Sequence, residues 1–454
     1  MAAEPATEQM AAEERLRSLS DALETGAAGR VRKLLASLQP AEIALLLESF
    51  PPERRLLLWE LVDPEDRGEV LVHVNDEVRA GLIEELETGE LIAATESLDT
   101  DDLADLIKDL PDAVTAQILR SMDLQDRHRL ESVLSYAEDT AGGLMNVDTI
   151  TVRADVTLDV VLRYLRLRGE IPDLTDSLFV VDRYDTYQGV LPLTTLLTSD
   201  PDATVADVMD DEVEAIPADM PATEVAKRFE DHDLISAPVV DEHGKLVGRI
   251  TIDDVVDVIR DEADHSLMSM AGLDEEDDIF APVVHSARRR AVWLGVNLLT
   301  ALLASWVIGL FETTIEKVVA LAVLMPIVAS MGGIAGSQTL TIMIRGLALG
   351  QVGKTNSRWL MVKEVAVGIL NGLLWATVVA IIAMAWFENV MVGVVIAAAM
   401  MLNLVCAALA GFAIPLFLRR IGVDPALAGS VLLTTITDVV GFMAFLGLGT
   451  AFLL

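Results

Sequence analysis

The sequence predicts a multi-domain protein in which an acidic soluble half is followed by a membrane domain of five helices. Of its 454 residues 52% are hydrophobic, yet acidic residues outnumber basic ones by 71 to 33. The two properties belong to different parts of the chain, because residues 1–290 carry a net charge of −39 and residues 291–454 one of +1. At roughly 150 residues per domain, the length allows about three domains.

Charge and cysteine content exclude several classes of protein. A soluble half with such an excess of carboxylates would repel phosphates, so nucleic acid is not an expected partner. Cys406 is the only cysteine, which rules out an intrachain disulfide, and no His/Cys cluster has zinc spacing. The N-terminus lacks the basic and apolar segments of a signal peptide, so we expect the soluble half to be cytoplasmic.

Five apolar stretches after residue 290 reach the length of about 20 residues that crosses a bilayer. Basic residues cluster before the first stretch, between the second and third, and before the fifth, and they are scarce elsewhere. By the positive-inside rule, this alternation predicts a multi-pass protein of the inner (plasma) membrane with a cytoplasmic N-terminus and an external C-terminus. The predicted spans are 291–311, 318–344, 362–387, 390–418 and 425–454.

The fifth span carries a polar stripe. Ser430, Thr434 and Asp438 recur every four residues and therefore share one face of a helix. A charge in the middle of a spanning helix costs about 2.5–3.5 kcal/mol, so a functional role for Asp438 is the first hypothesis. The alternative is a protonated or hydrogen-bonded carboxyl that joins two helices.

The second span is rich in glycine and contains Pro326. This composition favours either a broken helix, whose exposed carbonyls could line an ion path, or close packing of intact helices. An oxygen-lined path with one carboxylate suits hard cations such as Mg²⁺ or Ca²⁺. A single Asp438 is weak for a divalent ion, and a symmetric homodimer would place two of them around one axis.

An internal repeat occupies the region 145–264. Segments 180–182 and 239–241, both Val-Val-Asp, align at a shift of 59, and each unit is predicted to fold as strand, helix, two strands and helix. This arrangement resembles a tandem pair of CBS domains. In such modules a Thr/Ser-x-x-Asp motif often holds ribose, and Thr251 and Asp254 match it, so an adenine nucleotide such as ATP is one candidate ligand. A helix cap is the alternative role of these two residues.

Residues from about 15 to 140 show helical apolar periodicity with breaks at proline. Segment 41–51 matches segment 101–111 at a shift of 60 with coincident apolar positions. The pattern predicts an all-α superhelical array of short stacked helices.

The whole chain resembles the MgtE family of magnesium channels. The resemblance is carried by residues 138–145 (EDTAGGLM), the Gly-rich second span, residues 424–426 (DPA) leading to 437–441 (TDVVG), and the order of the domains. It implies a homodimeric, Mg²⁺-gated channel for Mg²⁺ or a similar divalent cation, and no enzyme activity. The implied domains are a helical N domain at 1–140 with residues 1–15 disordered, a CBS pair at 141–264, a linker or plug helix at 265–290, and a pore domain at 291–454.

The resemblance also implies the pore residues. Asp438 would bind hydrated Mg²⁺, and the family's Asn and backbone carbonyl positions before it fall on Ser430 and Thr434. Ile334 replaces an Asn that the family usually has, so Co²⁺ and Mn²⁺ are alternative cargoes. The implied pore and metal residues are Gly333, Gln338, Ser430, Thr434 and Asp438.

Gating is expected to follow from the negative charge. Two carboxylates about 4 Å apart repel by roughly 4 kcal/mol at an effective dielectric of 20, and a divalent ion between them reverses the sign. The regulatory acids implied by the resemblance are Asp101, Asp105, Glu224, Asp233, Asp254, Asp257 and Glu262. The alternative for each of these acids is an ordinary charged side chain on a solvated surface. The acidic run 274–278 is predicted to be a solvated loop. Two other functions stay open, a nucleotide-regulated transporter and a non-transporting membrane sensor.

Overall fold

The structure is a computed structural model that describes residues 17–23, 25, 27–95, 98, 100–122, 124–273, 278–353 and 355–454. The predicted disorder of residues 1–15 lies outside this part of the chain. The protein forms two compact units, one of Met1–Asp264 with Glu276–Ala281 and the other of His265–Glu275 with Pro282–Leu454.

Short helices build the first part of the soluble unit, as the apolar periodicity predicts. Prolines start several of them because their fixed φ suits the first helical position; Pro40 and Pro52 both stand there. The inward faces merge into one hydrophobic core that continues into the second repeat. Residues 17–23 are also helical, and the helices that follow them in this array are α1 (Ala28–Leu35), α2 (Pro40–Glu48), α3 (Pro52–Trp59), α4 (Arg67–His73), α5 (Asp76–Glu85), α6 (Thr88–Thr95), α7 (Thr100–Asp109), α8 (Asp112–Ser121) and α9 (Leu124–Val133).

The tandem repeat forms two three-stranded sheets with the same topology. In each, the first strand pairs parallel and the third antiparallel with the central strand, and the register shifts at Val180/Val181 and again at Val239/Val240. The fold class and the shift of 59 are thereby confirmed. The elements are α10 (Ala141–Leu144), β1 (Thr151–Arg153), α11 (Leu158–Arg168), β2 (Ser177–Val181), β3 (Tyr187–Pro192), α12 (Leu193–Thr198), α13 (Val205–Val208), β4 (Ile216–Pro217), α14 (Ala222–His232), β5 (Ser236–Val240), β6 (Leu246–Thr251) and α15 (Ile252–Ser269).

The glycines of the 138–145 motif are explained by packing at the start of the repeat. A Cβ on Gly142 would lie 2.3 Å from the ring of Tyr136, and one on Gly143 would lie 2.4 Å from the carbonyl oxygen of Ala137. The amide of Gly142 also donates to the Ala218 carbonyl at 2.8 Å. No larger residue would leave room for these close backbone contacts.

Five helices of the second unit are long and apolar enough to cross a membrane. They are α16 (Val283–Gly309), α18 (Val319–Ala348), α19 (Ser357–Phe387), α20 (Val390–Arg420) and α21 (Pro425–Leu453), with a short helix α17 (Glu312–Lys317) between the first two.

The second span is one continuous helix, so the broken-helix interpretation is wrong. Pro326 lies inside α18 without ending it. The glycines serve close packing instead, since a Cβ on Gly336 would lie 2.8 Å from Leu433 of α21.

Asp278 corrects the prediction that the acidic run 274–278 is a solvated loop; residues 274–277 lie outside the described part. The Asp278 side chain is 5% exposed and pairs with Arg55 of α3, Nη2 to Oδ2, at 2.9 Å. Its amide donates to Glu77 at 2.7 Å, and the Arg55 guanidinium also donates to the carbonyls of Leu47 and Phe50. The helical array therefore holds the segment that leads to the first span.

We expect Arg55→Ala to destabilise the soluble unit by about 3–5 kcal/mol, because it leaves the Asp278 carboxylate buried without its charge partner. Thermal unfolding followed by circular dichroism measures the loss. The exposed pair Arg163–Asp159 supplies the control, since Arg163→Ala should cost less than about 1 kcal/mol. Equal midpoints for the two variants would contradict this role of Arg55.

Candidate pore and regulatory sites

A groove of about 850 Å³ opens between α18 and α21 of the membrane unit. Four of the five predicted pore residues line it, and Ser430 does not, although its carbonyl accepts a hydrogen bond from the Thr434 hydroxyl at 2.9 Å. The lining is Ala329, Ser330, Gly333, Ile334, Ser337, Gln338, Thr341, Ile342, Thr434 and Asp438.

Asp438 faces this groove. It is half-buried, and no hydrogen bond or ion pair from the described part of the chain reaches its carboxylate. A carboxyl that joined two helices would need such a partner at that depth. The hydroxyls of Ser330, Ser337 and Thr434 and the Gln338 amide share the groove with Asp438, so its polar lining is mostly oxygen, the ligand type that hard cations prefer.

Helix geometry explains how the groove is assembled. Gly336 and Gly429 allow α18 and α21 to approach closely, because Leu433 and Leu340 occupy the space that a Cβ would need. Gly333 and Ile334 then follow on the side of α18 that faces the groove. The polar face of α21 is thus held beside small residues of α18.

A second acid in the membrane unit was not predicted as a site. Glu364 of α19 has a side chain only 4% exposed; it accepts a hydrogen bond from Thr339 of α18 at 3.2 Å and pairs with Lys363 at 2.8 Å. Its place near the start of a span, beside a lysine, made it resemble an ordinary flanking charge. Glu364 links α19 to α18 one residue beyond Gln338.

The predicted regulatory acids do not converge within one chain. Among the described residues no group of three or more His, Cys, Asp or Glu is arranged to hold a metal ion. Asp105 pairs with Lys108 at 2.8 Å, and Lys108 also reaches Glu138 at 3.1 Å. The side chain of Asp101 lies outside the described part.

The other regulatory acids lie on the second repeat and on α15. Glu224 and Glu262 are exposed, and Asp233 ends α14 in the left-handed conformation. Asp257 lies 3.6 Å from Arg260. Asp254 is engaged locally, because it accepts hydrogen bonds from the amide and the hydroxyl of Thr251 at 3.3 and 3.1 Å. In this structure Thr251 and Asp254 therefore form a cap of α15.

Asp261 is a further acid of this surface that the sequence analysis did not single out. Burial raises the pKa of Asp261; the Arg260 guanidinium opposes this, and the carboxylates of Asp257 and Asp264 add to it. Spacing of three to four residues on α15 brings these acids together.

The end of α15 approaches the start of α21. His265 Nε2 lies 3.4 Å from Asp424 Oδ2, and Asp424 caps α21 by accepting from the amides of Ala426 and Leu427. In its protonated form, His265 would attract the Asp424 carboxylate.

Three family models match the chain: MgtE, a divalent cation transporter, at residues 325–448; the MgtE intracellular N domain at 38–139; and the CBS domain at 205–261. The magnesium transporter MgtE of Thermus thermophilus is 33% identical over 94% of this chain and 96% of its own length. The chain belongs to the MgtE family.

Two further similarities were found. The magnesium transporter MgtE of Bacillus subtilis is 28% identical over 93% of this chain and 94% of its own. A crystal structure of the cytosolic domain of the Mg²⁺ channel MgtE in complex with ATP is 34% identical, covers 54% of this chain and 99% of that one, and has a TM-score of 0.49.

Membership in the MgtE family makes the chain a membrane transporter of divalent cations and not an enzyme. Its helical array is an intracellular N domain. The matched transporter segment, 325–448, contains every residue that lines the groove.

We expect Asp261→Asn to raise the thermal midpoint at pH 7 in chelator by about 1–2 °C, a small gain because the Asp261 side chain is 65% exposed and solvent screens its charge. Since the folded-state pKa is raised, the charge of Asp261 opposes folding above that pKa. The gain should shrink as the pH falls through the raised pKa of Asp261, because the wild-type carboxyl then becomes neutral. Glu262→Gln, an exposed neighbour, is the control and should shift the midpoint by less; a gain for Asp261→Asn that is independent of pH would contradict the assignment.

Proposed function

We propose that the protein is a Mg²⁺-gated channel that carries Mg²⁺ into the cell and closes when intracellular Mg²⁺ binds its acidic soluble half. The observation that carries the proposal is the partnerless Asp438 carboxylate in an oxygen-lined groove between two membrane helices. The names of the MgtE relatives, which are magnesium transporters, support Mg²⁺ as the cargo.

The ion would pass as a hydrated cation. Mg²⁺ loses its water reluctantly, so Asp438 and the Thr434 hydroxyl would bind its water shell rather than the bare metal. Gln338 and the backbone of Gly333 would complete the lining, with Ser430 one turn before Thr434. Ile334, 56% exposed in the groove, offers no polar group, and this leaves Co²⁺ and Mn²⁺ as second candidates for the cargo.

We further propose a homodimer with the C-terminus outside the cell. The groove opens away from its own chain and exposes Ile334 and Ile342, which a second copy would cover while bringing a second Asp438 to the path. The domain boundaries at residues 140, 264 and 290 belong to the same proposal.

Gating would use repulsion that Mg²⁺ relieves. The soluble half carries a large excess of carboxylates, and Asp257, Asp261 and Asp264 already cluster on α15. The regulatory set, Asp101, Asp105, Glu224, Asp233, Asp254, Asp257 and Glu262, would act between surfaces that come together only in the closed state. Mg²⁺ shifts the equilibrium by its higher affinity for that state.

We expect Asp438→Ala to lower Mg²⁺ uptake into proteoliposomes at least about tenfold, because a charge-assisted contact contributes about 1.5–3 kcal/mol. Thr435→Val is the matched control, since the Thr435 hydroxyl bonds its own helix at Val431 and does not line the groove. Competition by Co²⁺ and Mn²⁺ in the same assay identifies the cargo. Equal Mg²⁺ flux in wild type and Asp438→Ala would refute the pore assignment.

Millimolar Mg²⁺ should protect the soluble half from limited proteolysis, because bound ions hold the compact state. Neutralising Asp105, Asp257 and Glu262 together should weaken this protection, whereas the same changes at exposed Asp202, Glu230 and Glu242 should not. ATP tests the second candidate, a nucleotide site at Thr251 and Asp254. Protection by ATP and none by Mg²⁺ would favour a nucleotide-regulated transporter.

A further inference from the structure

Asn403 is an amide in the interior of the membrane unit. It lies in the middle of α20, its exposed fraction is 1%, and the residues around it on that helix are apolar. Burying an amide where no water can reach it is costly unless its polar atoms are used. A residue of this kind at this depth needs a specific contact.

One such contact is a hydrogen bond to the pore helix α18. Asn403 Nδ2 donates to the backbone carbonyl of Val328 at 2.9 Å. Pro326, two residues before Val328, has no backbone N–H and leaves the carbonyl of Ala322 without its helical donor. The amide therefore adds a side-chain hydrogen bond to α18 close to this interruption of its ladder.

Two glycines from different helices make room for the same amide. A Cβ on Gly332 of α18 would lie 2.2 Å from Asn403 Nδ2, and one on Gly441 of α21 would lie 2.7 Å from it. Neither position could carry even an alanine without displacing the amide. Asn403 thus fills the crossing of three helices.

The carbonyl oxygen of this side chain has no conventional donor. Oδ1 is buried, and within the described residues no hydrogen-bond donor reaches it. The amide group instead packs beside Gly332 and Gly441, in the space that a Cβ on either glycine would need. Because Oδ1 makes no hydrogen bond, the position of the amide depends on how α18 and α21 pack around it.

The crossing lies directly behind the groove. Gly332 precedes Gly333 of the lining, and Gly441 is one helical turn after Asp438. A shift of the amide would therefore move both walls of the groove, one carrying Gly333 and the other the carboxylate.

We propose that Asn403 is a positioning residue that fixes the spacing of α18 and α21, and with it which divalent cation the groove accepts. This inference rests on the proposed cation pathway. Asn403 acts through the two helices and does not touch the ion itself.

The test compares Asn403→Leu, which keeps the volume and removes the amide, with Leu404→Ala, a buried control on the same helix. In proteoliposomes the ratio of Mg²⁺ to Co²⁺ uptake should change roughly two- to tenfold in Asn403→Leu, the range that one hydrogen bond's net contribution gives. Leu404→Ala should lower the yield and all fluxes while keeping the ratio. An unchanged ratio in Asn403→Leu overturns the inference but leaves the channel proposal standing.

Gly332→Ala provides an independent arm, because its Cβ pushes on the same amide. Gly332→Ala should by itself change the ratio of Mg²⁺ to Co²⁺ uptake. The double variant Gly332→Ala/Asn403→Ala should change this ratio less than the sum of the two single variants, because the shortened side chain leaves room for the methyl group. Additive effects would contradict a shared contact.

A third measurement does not depend on transport. Spin labels at Ile334→Cys and Thr434→Cys, in a Cys406→Ala background diluted with unlabelled protein, report the spacing across the groove by dipolar broadening. Asn403→Leu should change that broadening and Leu404→Ala should not. If wild type carries no divalent cation, the channel proposal fails and this spacing alone decides the role of Asn403.

Discussion

The exposure of one carboxylate inside an apolar layer is the constraint on which the membrane unit depends. Asp438 has no protein partner in the described chain, and a bilayer offers no solvent to replace one. The charge is tolerable only where water or cations have access. The small residues of α18 and the polar face of α21 leave an opening beside this carboxylate.

The soluble unit presents the opposite electrostatic situation, with too many charges of one sign in water. Most of its acids lie exposed or in local contacts such as Asp105–Lys108, so no metal site is complete within the described part of one chain. Repulsion of this kind favours separated surfaces unless a divalent ion bridges them. The proposed pore and the proposed sensor would thus use the same ligand chemistry, one in the membrane and the other in water.

Periodicity and length sufficed to predict the five spanning helices, the duplicated sheet and the stacked short helices, because each follows from local pattern. The outcome of competition between distant residues could not be predicted. Glycines of α18 indicated either a broken helix or close packing, and Leu433 of another helix decides between them. Asp278 belonged to an acidic run and resembled a solvated residue until Arg55, more than 200 positions away, paired with it.

Prediction from sequence had the same limit at the candidate pore site, where contacts between distant residues decide the role of a side chain. The charge argument that singled out Asp438 applies, in weaker form, to any polar group in a span, and it would have found Asn403 had it been extended to amides. Glu364 was obscured by its place beside Lys363 at the edge of a span. The predicted Ser430 shares the face of Thr434 by spacing, yet it contributes a backbone carbonyl to that residue rather than a side chain to the groove.

The segment that leads into the first span is short. Ala281 is the last residue of the soluble unit, and Pro282 stands one residue before α16 begins. Asp278, three residues before Ala281, forms an ion pair with Arg55, and its amide donates a hydrogen bond to Glu77. The proline ring also fixes one backbone torsion of this connection. Only residues 279–282 separate the buried Asp278 carboxylate from the first residue of α16, so the covalent tether between a buried ion pair and a spanning helix is four residues long.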